Sequence, residues 1–217
     1  MWVKICANTN LEDAMASAEL GADAVGFVFA PSRRQVTAAQ VAEITAQLPG
    51  HIERIGVFAG FTVPQIVGAV DAAGLTGVQL HAGVGSDAMG ELAEALPKGF
   101  AIIQTVHWRL DENEASAERV RGQLAVAAAE RVLVDARVGS ASGGLGVSFD
   151  WAAARPVLTS QPRLKLIVAG GLRPDNVADA IRELRPWGVD VASGVEASPG
   201  RKDHGKLRAF IKNARGV

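Results

Sequence analysis

Short apolar runs rich in valine and isoleucine alternate along this chain with longer amphipathic stretches. The runs Val3–Ala7, Ala24–Phe29, Arg54–Ala59, Gly77–His81, Ala101–His107, Arg131–Asp135, Leu164–Ala169 and Val189–Ser193 read as strands. The stretches Leu11–Leu20, Thr37–Leu48, Val63–Ala73, Ser86–Leu96, Ala115–Glu130, Phe149–Leu158, Pro174–Leu184 and Asp203–Asn213 read as helices. Strands this continuously apolar are buried on both faces, which calls for a parallel sheet covered by helices. Eight consecutive strand–helix units with no segment left over predict closure into a (β/α)8 (TIM) barrel, one α/β domain spanning residues 1–217. The alternative is an open doubly wound sheet. That fold would carry a dinucleotide fingerprint after its first strand, and no G-x-G-x-x-G follows Ala7.

The punctuation agrees. Asn10 can cap the first helix with Asp13 three residues on, and Pro174 suits a first helical turn after the Gly170–Gly171 turn. The charged stretch from Arg109 to Arg121 reads as the solvated face of the fifth helix.

Composition narrows the partners. At 217 residues the chain lies near the lower end for a closed barrel. With 22 Lys and Arg against 23 Asp and Glu, it has no electrostatic footprint for nucleic acid. Aromatic residues are only 5% and Tyr is absent, which argues against base-stacking platforms. The single cysteine, Cys6, cannot form an internal disulfide, and no basic segment leads into an apolar one at the N-terminus, so a cytoplasmic location is expected. The longest uncharged stretch, Ile55 to Val70, is broken by Gly56, Gly60, Pro64 and Gln65 and does not read as a membrane span. A small-molecule ligand is expected, on a monomer or a homodimer.

Active sites of such barrels form at the C-terminal strand ends. The polar residues there are Cys6, His81, His107, Asp135 and Ser193, with Arg33 and Arg34 shortly after the second strand and Gly143, Gly144 and Gly146 after the sixth. Alternation along a strand places Lys4 on the face of Cys6, and Arg131 and Leu133 on the face of Asp135. A thiol and a carboxyl across the barrel mouth can serve as base and acid, given a thiol pKa held near working pH and a carboxyl that keeps its proton. The competing readings are a buried structural cysteine and a carboxylate that caps a loop. His81 and His107 read as hydrogen-bonded packing histidines; a metal pair would need a carboxylate to complete it. Gly170–Gly171 and Ser193–Gly194, ending the seventh and eighth strands, sit where this barrel class binds phosphate, and glycines there admit close approach of backbone N–H groups.

Several blocks, in order, resemble the phosphoribosylanthranilate isomerases over nearly the whole chain. They are K-I-C at 4–6, G-A-D-A-V-G-F-V-F at 21–29, S-R-R at 32–34, G-V-F at 56–58, V-Q-L-H at 78–81 and V-D at 134–135. They continue with G-G-L-G-V-S-F-D-W at 143–151, A-G-G-L-R-P-D-N-V at 169–177, and V-D-V-A-S-G-V-E with S-P-G-R-K-D within 189–203. The resemblance implies an Amadori rearrangement of N-(5-phosphoribosyl)anthranilate, with Cys6 as general base, Asp135 as general acid and Arg34 on the anthranilate carboxylate. His81, Gly143, Gly144, Gly170, Gly171, Ser193 and Gly194 would bind the rest of the substrate. It implies neither a metal nor an organic cofactor. The chain departs from the family pattern at Ala7 and Ala82, where glycine is usual, and at Leu145 and Val147 in place of Thr and Lys.

Rival readings are other sugar-phosphate enzymes on the same barrel, or a non-catalytic phosphometabolite-binding barrel. The related histidine-pathway isomerase has an aspartate in place of Cys6 and twofold repetition of its phosphate loops. Here the third strand ends in Val57–Phe58–Ala59–Gly60, with no twin of the later Gly-Gly pattern. A pure binding protein has no need of an opposed acid and base.

Overall fold

The structure, a computed structural model, describes residues 1–82, 86–137 and 150–217. Eight parallel strands, β1 (Trp2–Ile5), β2 (Ala24–Val28), β3 (Glu53–Ala59), β4 (Gly77–Ala82), β5 (Ala101–Arg109), β6 (Arg131–Arg137), β7 (Lys165–Ala169) and β8 (Gly188–Val191), close in chain order into a barrel, with β1 paired to β8. The helices that alternate with them are α1 (Leu11–Glu19), α2 (Ala38–Thr45), α3 (Val63–Ala73), α4 (Ser86–Ala95), α5 (Asn113–Ala125), α6 (Trp151–Leu158), α7 (Val177–Leu184) and α8 (His204–Arg215). A short 3-10 turn (Ser193–Val195) and a two-stranded hairpin, β9 (Glu196–Ser198) and β10 (Arg201–Lys202), are inserted between β8 and α8. None of the described helices is long and apolar enough to cross a membrane.

Strand alternation sorts the core into two layers. Trp2, Ala24, Ile55, Ile103, Leu133, Ile167 and Ala169 meet inside the barrel. The intervening residues pack outward on the helices: Val3, Ile5, Val132, Val134, Val168 and Val189 on one side, Val25, Phe27, Phe58, Val78 and Leu80 on the other. At the N-terminal end, the Arg131 guanidinium lies 5.6 Å and 4.9 Å from the rings of Trp2 and Trp187 and is clamped by both carboxylate oxygens of Glu53. Chemistry is left to the other end.

Most boundaries differ from the sequence reading by one to three residues, and three differences bear on local structure. Helix α5 ends at Ala125 rather than Glu130, and Arg163 donates to the carbonyls of Leu124, Ala125 and Ala127 at that end. Helix α7 begins at Val177, so Pro174 lies before it. The Asn176 side chain accepts from Arg173 N and donates to Gly171 O, which holds 173–176 as a turn. Strand β8 ends at Val191, and Ser193 and Gly194 belong to the 3-10 turn that follows rather than to the strand. The Asn10 cap is as expected: its side chain accepts from Asp13 N.

Candidate active site

The first strand sets the centre of the site. Lys4 and Cys6 lie two apart and share the barrel interior, while Val3 and Ile5 face the helices. Beyond β1 the backbone of Cys6 is pinned on both sides: its N–H donates to Val191 O at 2.8 Å, and its carbonyl accepts from Lys202 Nζ at 2.6 Å. Opposite stands Gly26 on β2. A Cβ there would lie 2.8 Å from Cys6 Sγ and 3.0 Å from Lys4 Cε, so only glycine leaves room for the thiol.

Ala7 takes φ +61°, a left-handed conformation that usually selects glycine. The turn is imposed by Asn8, which is fully buried; its N–H donates to Gly26 O, and its side-chain amide donates to Ile5 O at 2.8 Å. The backbone after the thiol therefore keeps the glycine-type conformation although the residue is alanine. Left-handed strain of about 1–2 kcal/mol is offset by about 0.8 kcal/mol for the buried methyl and about 0.4–1 kcal/mol of reduced unfolded-state entropy. Ala7→Gly is accordingly expected to change unfolding free energy by less than about 1 kcal/mol, as measured by urea denaturation.

Burial pushes the Cys6 thiol above its ordinary range. The Lys4 ammonium opposes that shift, the Asp190 carboxylate adds to it, and Lys202 opposes it again. At neutral pH the resting proton therefore sits on sulfur.

Asp135 lies on β6 in register with His107 of β5 and Ala169 of β7. His107 Nε2 is 2.9 Å from the His81 carbonyl; a carbonyl only accepts, so Nε2 carries the proton. The other ring nitrogen, Nδ1, lies 3.9 Å from Asp135 Oδ2. The two imidazoles pack edge to face at 5.0 Å. His107 is thus the hydrogen-bonded packing histidine expected from sequence.

Arg34 is held by Glu196, Nε donating to Oε1 at 2.8 Å and Nη2 to Oε2 at 2.6 Å. Burial alone would raise the Glu196 carboxyl, but the Arg34 hydrogen bonds and Lys202 bring it below the usual carboxylate range. Glu196 and Lys202 belong to the β9–β10 hairpin, which sequence reasoning passed over although both lie in quoted blocks. Asn8, Gln79 and Asp190 were missed too. Their signal was weak: Gln79 and Asp190 are isolated polar residues inside largely apolar strands, and Asn8 lies in a short polar segment, Asn8–Thr9–Asn10, that reads as an ordinary turn.

After β7, Gly170 and Gly171 are both left-handed, with φ +81° and +68°. A Cβ on Gly170 would strike the backbone of Ala136, and one on Gly194 would strike the carbonyl of Leu172. The loop after β7 and the 3-10 turn after β8 therefore touch backbone to backbone, glycine being the residue that permits it.

One cavity at the C-terminal end of the barrel is lined by Cys6, Arg34, His81, Asp135, Gly170, Gly171, Ser193 and Gly194. Gly143 and Gly144 lie outside the described residues. What fold and cavity define is a (β/α)8-barrel enzyme whose mouth sets a thiol and a carboxyl beside two glycine loops.

Residues 3–213 match the family model described as N-(5'phosphoribosyl)anthranilate (PRA) isomerase. The N-(5'-phosphoribosyl)anthranilate isomerase of Thermotoga neapolitana is 42% identical over 99% of this chain and 98% of its own length, and that of Roseiflexus castenholzii is 43% identical over 99% and 98%. The crystal structure of the Thermotoga maritima phosphoribosyl anthranilate isomerase superposes with a TM-score of 0.86 at 38% identity, covering 100% of both chains. A structure of a phosphoribosyl anthranilate isomerase in complex with reduced 1-(o-carboxyphenylamino)-1-deoxyribulose 5-phosphate gives 0.83 at 37%, again over 100% of both chains. The chain belongs to the N-(5'-phosphoribosyl)anthranilate isomerase family.

Proposed function

We propose that residues 1–217 form one cytoplasmic domain that isomerises N-(5-phosphoribosyl)anthranilate to 1-(2-carboxyphenylamino)-1-deoxyribulose 5-phosphate in tryptophan biosynthesis. The observation that carries this reading is the placement of Cys6 and Asp135 on one cavity, beside Arg34 and the two glycine loops. Asp135 gives a proton to the furanose ring oxygen, the C1′–O bond breaks, and a Schiff base forms between C1′ and the anthranilate nitrogen. Cys6 then takes the C2′ proton, leaving an enolamine that tautomerises to the ketone. Because the resting proton sits on sulfur, the reaction needs the form in which Cys6 has become the thiolate and Asp135 holds the proton it donates.

The 5′-phosphate is assigned to Gly170, Gly171, Ser193 and Gly194, whose backbone can approach an anion closely, and Gly143 and Gly144 are proposed to bind the same substrate. Arg34 spends Nε and Nη2 on Glu196, which leaves its Nη1 edge for the anthranilate carboxylate. His81 lines the cavity as a further substrate contact.

The test is an assay of anthranilate fluorescence. Phosphoribosylanthranilate is generated in situ, purified protein is added without metal, and loss of fluorescence is followed. Turnover is expected; a folded protein that leaves the signal unchanged rejects the isomerase reading.

A further inference from the structure

Among the described residues, the barrel interior carries a buried ion pair, Lys4 with Asp190, that the proposed reaction does not use. Lys4 is wholly buried. Its ammonium donates to Gln79 Oε1 at 2.7 Å and to Asp190 Oδ1 at 2.9 Å. Gln79 is itself oriented, since its amide nitrogen donates to Thr105 Oγ1 at 3.2 Å and so turns its oxygen to Lys4. Lys4 and Asp190 are direct partners in the β1–β8 ladder. The thiol of Cys6, the next interior residue on β1, shares with the Lys4 side chain the space that Gly26 leaves open, where a Cβ would lie 2.8 Å from Cys6 Sγ and 3.0 Å from Lys4 Cε.

Packing does not require this arrangement. The neighbouring interior positions are Ile103, Leu133 and Ile167, and apolar residues of similar volume generally fill such space at no loss of stability. Each other charge near the thiol already has a different task. Lys202 from β10 is aimed at the Cys6 carbonyl and Glu196, Arg34 from the segment after β2 is clamped by Glu196 of β9, and Asp135 from β6 lines the same cavity. His81 and Gln79 from β4 complete the surroundings.

We propose that Lys4 is a positioning residue for the base: its buried ammonium, fixed by Asp190 and Gln79, supplies the charge that lets the Cys6 thiol yield its proton, and Asp190 limits that effect. The word base rests on the function proposed above; the electrostatic coupling does not.

Cys6 is the only cysteine, so alkylation by iodoacetamide reports on it alone. The reaction follows the thiolate, and its rate against pH gives the thiol midpoint without any substrate. The outcome is therefore independent of whether the protein turns over phosphoribosylanthranilate. Lys4→Met is expected to move the midpoint up by about one unit and Asp190→Asn to move it down by about one unit. A general loosening of the barrel would not move the two in opposite directions. Lys4→Met strands a buried carboxylate and risks misfolding, so Lys4→Met/Asp190→Leu removes both charges together. Its midpoint is expected above wild type, because Lys4 acts on the thiol more strongly than Asp190 does. Shifts of the same sign in the two single variants, no shift in either, or a double-variant midpoint at or below wild type would overturn the proposal.

Discussion

Asp135→Asn is expected to lower kcat by about 10²–10⁴-fold with little change in KM. Asparagine keeps the shape and a hydrogen-bonding amide beside His107 Nδ1, 3.9 Å from the carboxylate oxygen in the native protein. It has no proton to transfer to the ring oxygen. Ring opening then proceeds with a poor leaving group, whereas phosphate and carboxylate contacts persist, so ground-state binding survives. Cys6→Ser should act at the next step with a loss of similar size, since a hydroxyl is a far weaker acid than a thiol and yields almost no oxyanion at neutral pH. Acid and base work in one sequence, so the double variant should fall little below the worse single one. Steady-state fluorescence assays give kcat and KM, and circular dichroism checks that each variant is folded. Should Asp135→Asn keep kcat within about tenfold of wild type, below the range general-acid catalysis commands, the acid is another group.

The regular elements were legible because both sides of each strand are buried. Val132 and Val134 face helices while Leu133 faces the interior, so the apolar run is continuous and strand, parity and closure follow from it. Cys6 and Asp135 stood out by position, as polar residues at strand ends, and both line the same cavity. The tertiary devices that serve them were not legible. Lys202 reaches the Cys6 carbonyl across 196 positions, and Arg34 meets Glu196 across 162. Such contacts depend on where a short hairpin lands after barrel closure, and no local periodicity encodes that. Lys4 and Asp190 sat in plain view on interior positions, yet their pairing needs the β1–β8 register, which exists only in the closed sheet. The same holds for Ser193 and Gly194. Their local sequence continues the β8 run, and only the contact with Leu172 shows why the chain turns there.

That contact makes Gly194 the position where the smallest change in side chain should have the largest effect on binding. In Gly194→Ala the added methyl would occupy the place of the Leu172 carbonyl oxygen. The obstacle is backbone, so no rotamer change relieves it; either the 3-10 turn or the loop after β7 must move. Both carry backbone assigned to the phosphate, so either shift spoils hydrogen bonds to a charged ligand. One such bond is worth about 1.5–3 kcal/mol. KM is therefore expected to rise about 10- to 100-fold, with a smaller change in kcat because Cys6 and Asp135 stand on β1 and β6 rather than on the displaced segments. Inorganic phosphate should weaken as a competitive inhibitor by a comparable factor. Gly68→Ala is the control: it lies in α3 with open space around its Cβ position, and should leave KM unchanged while adding up to about 1 kcal/mol of stability. If Gly194→Ala folds, melts near wild type and keeps its KM and its inhibition by phosphate, the phosphate does not sit between these two loops. The glycines would then serve barrel packing alone.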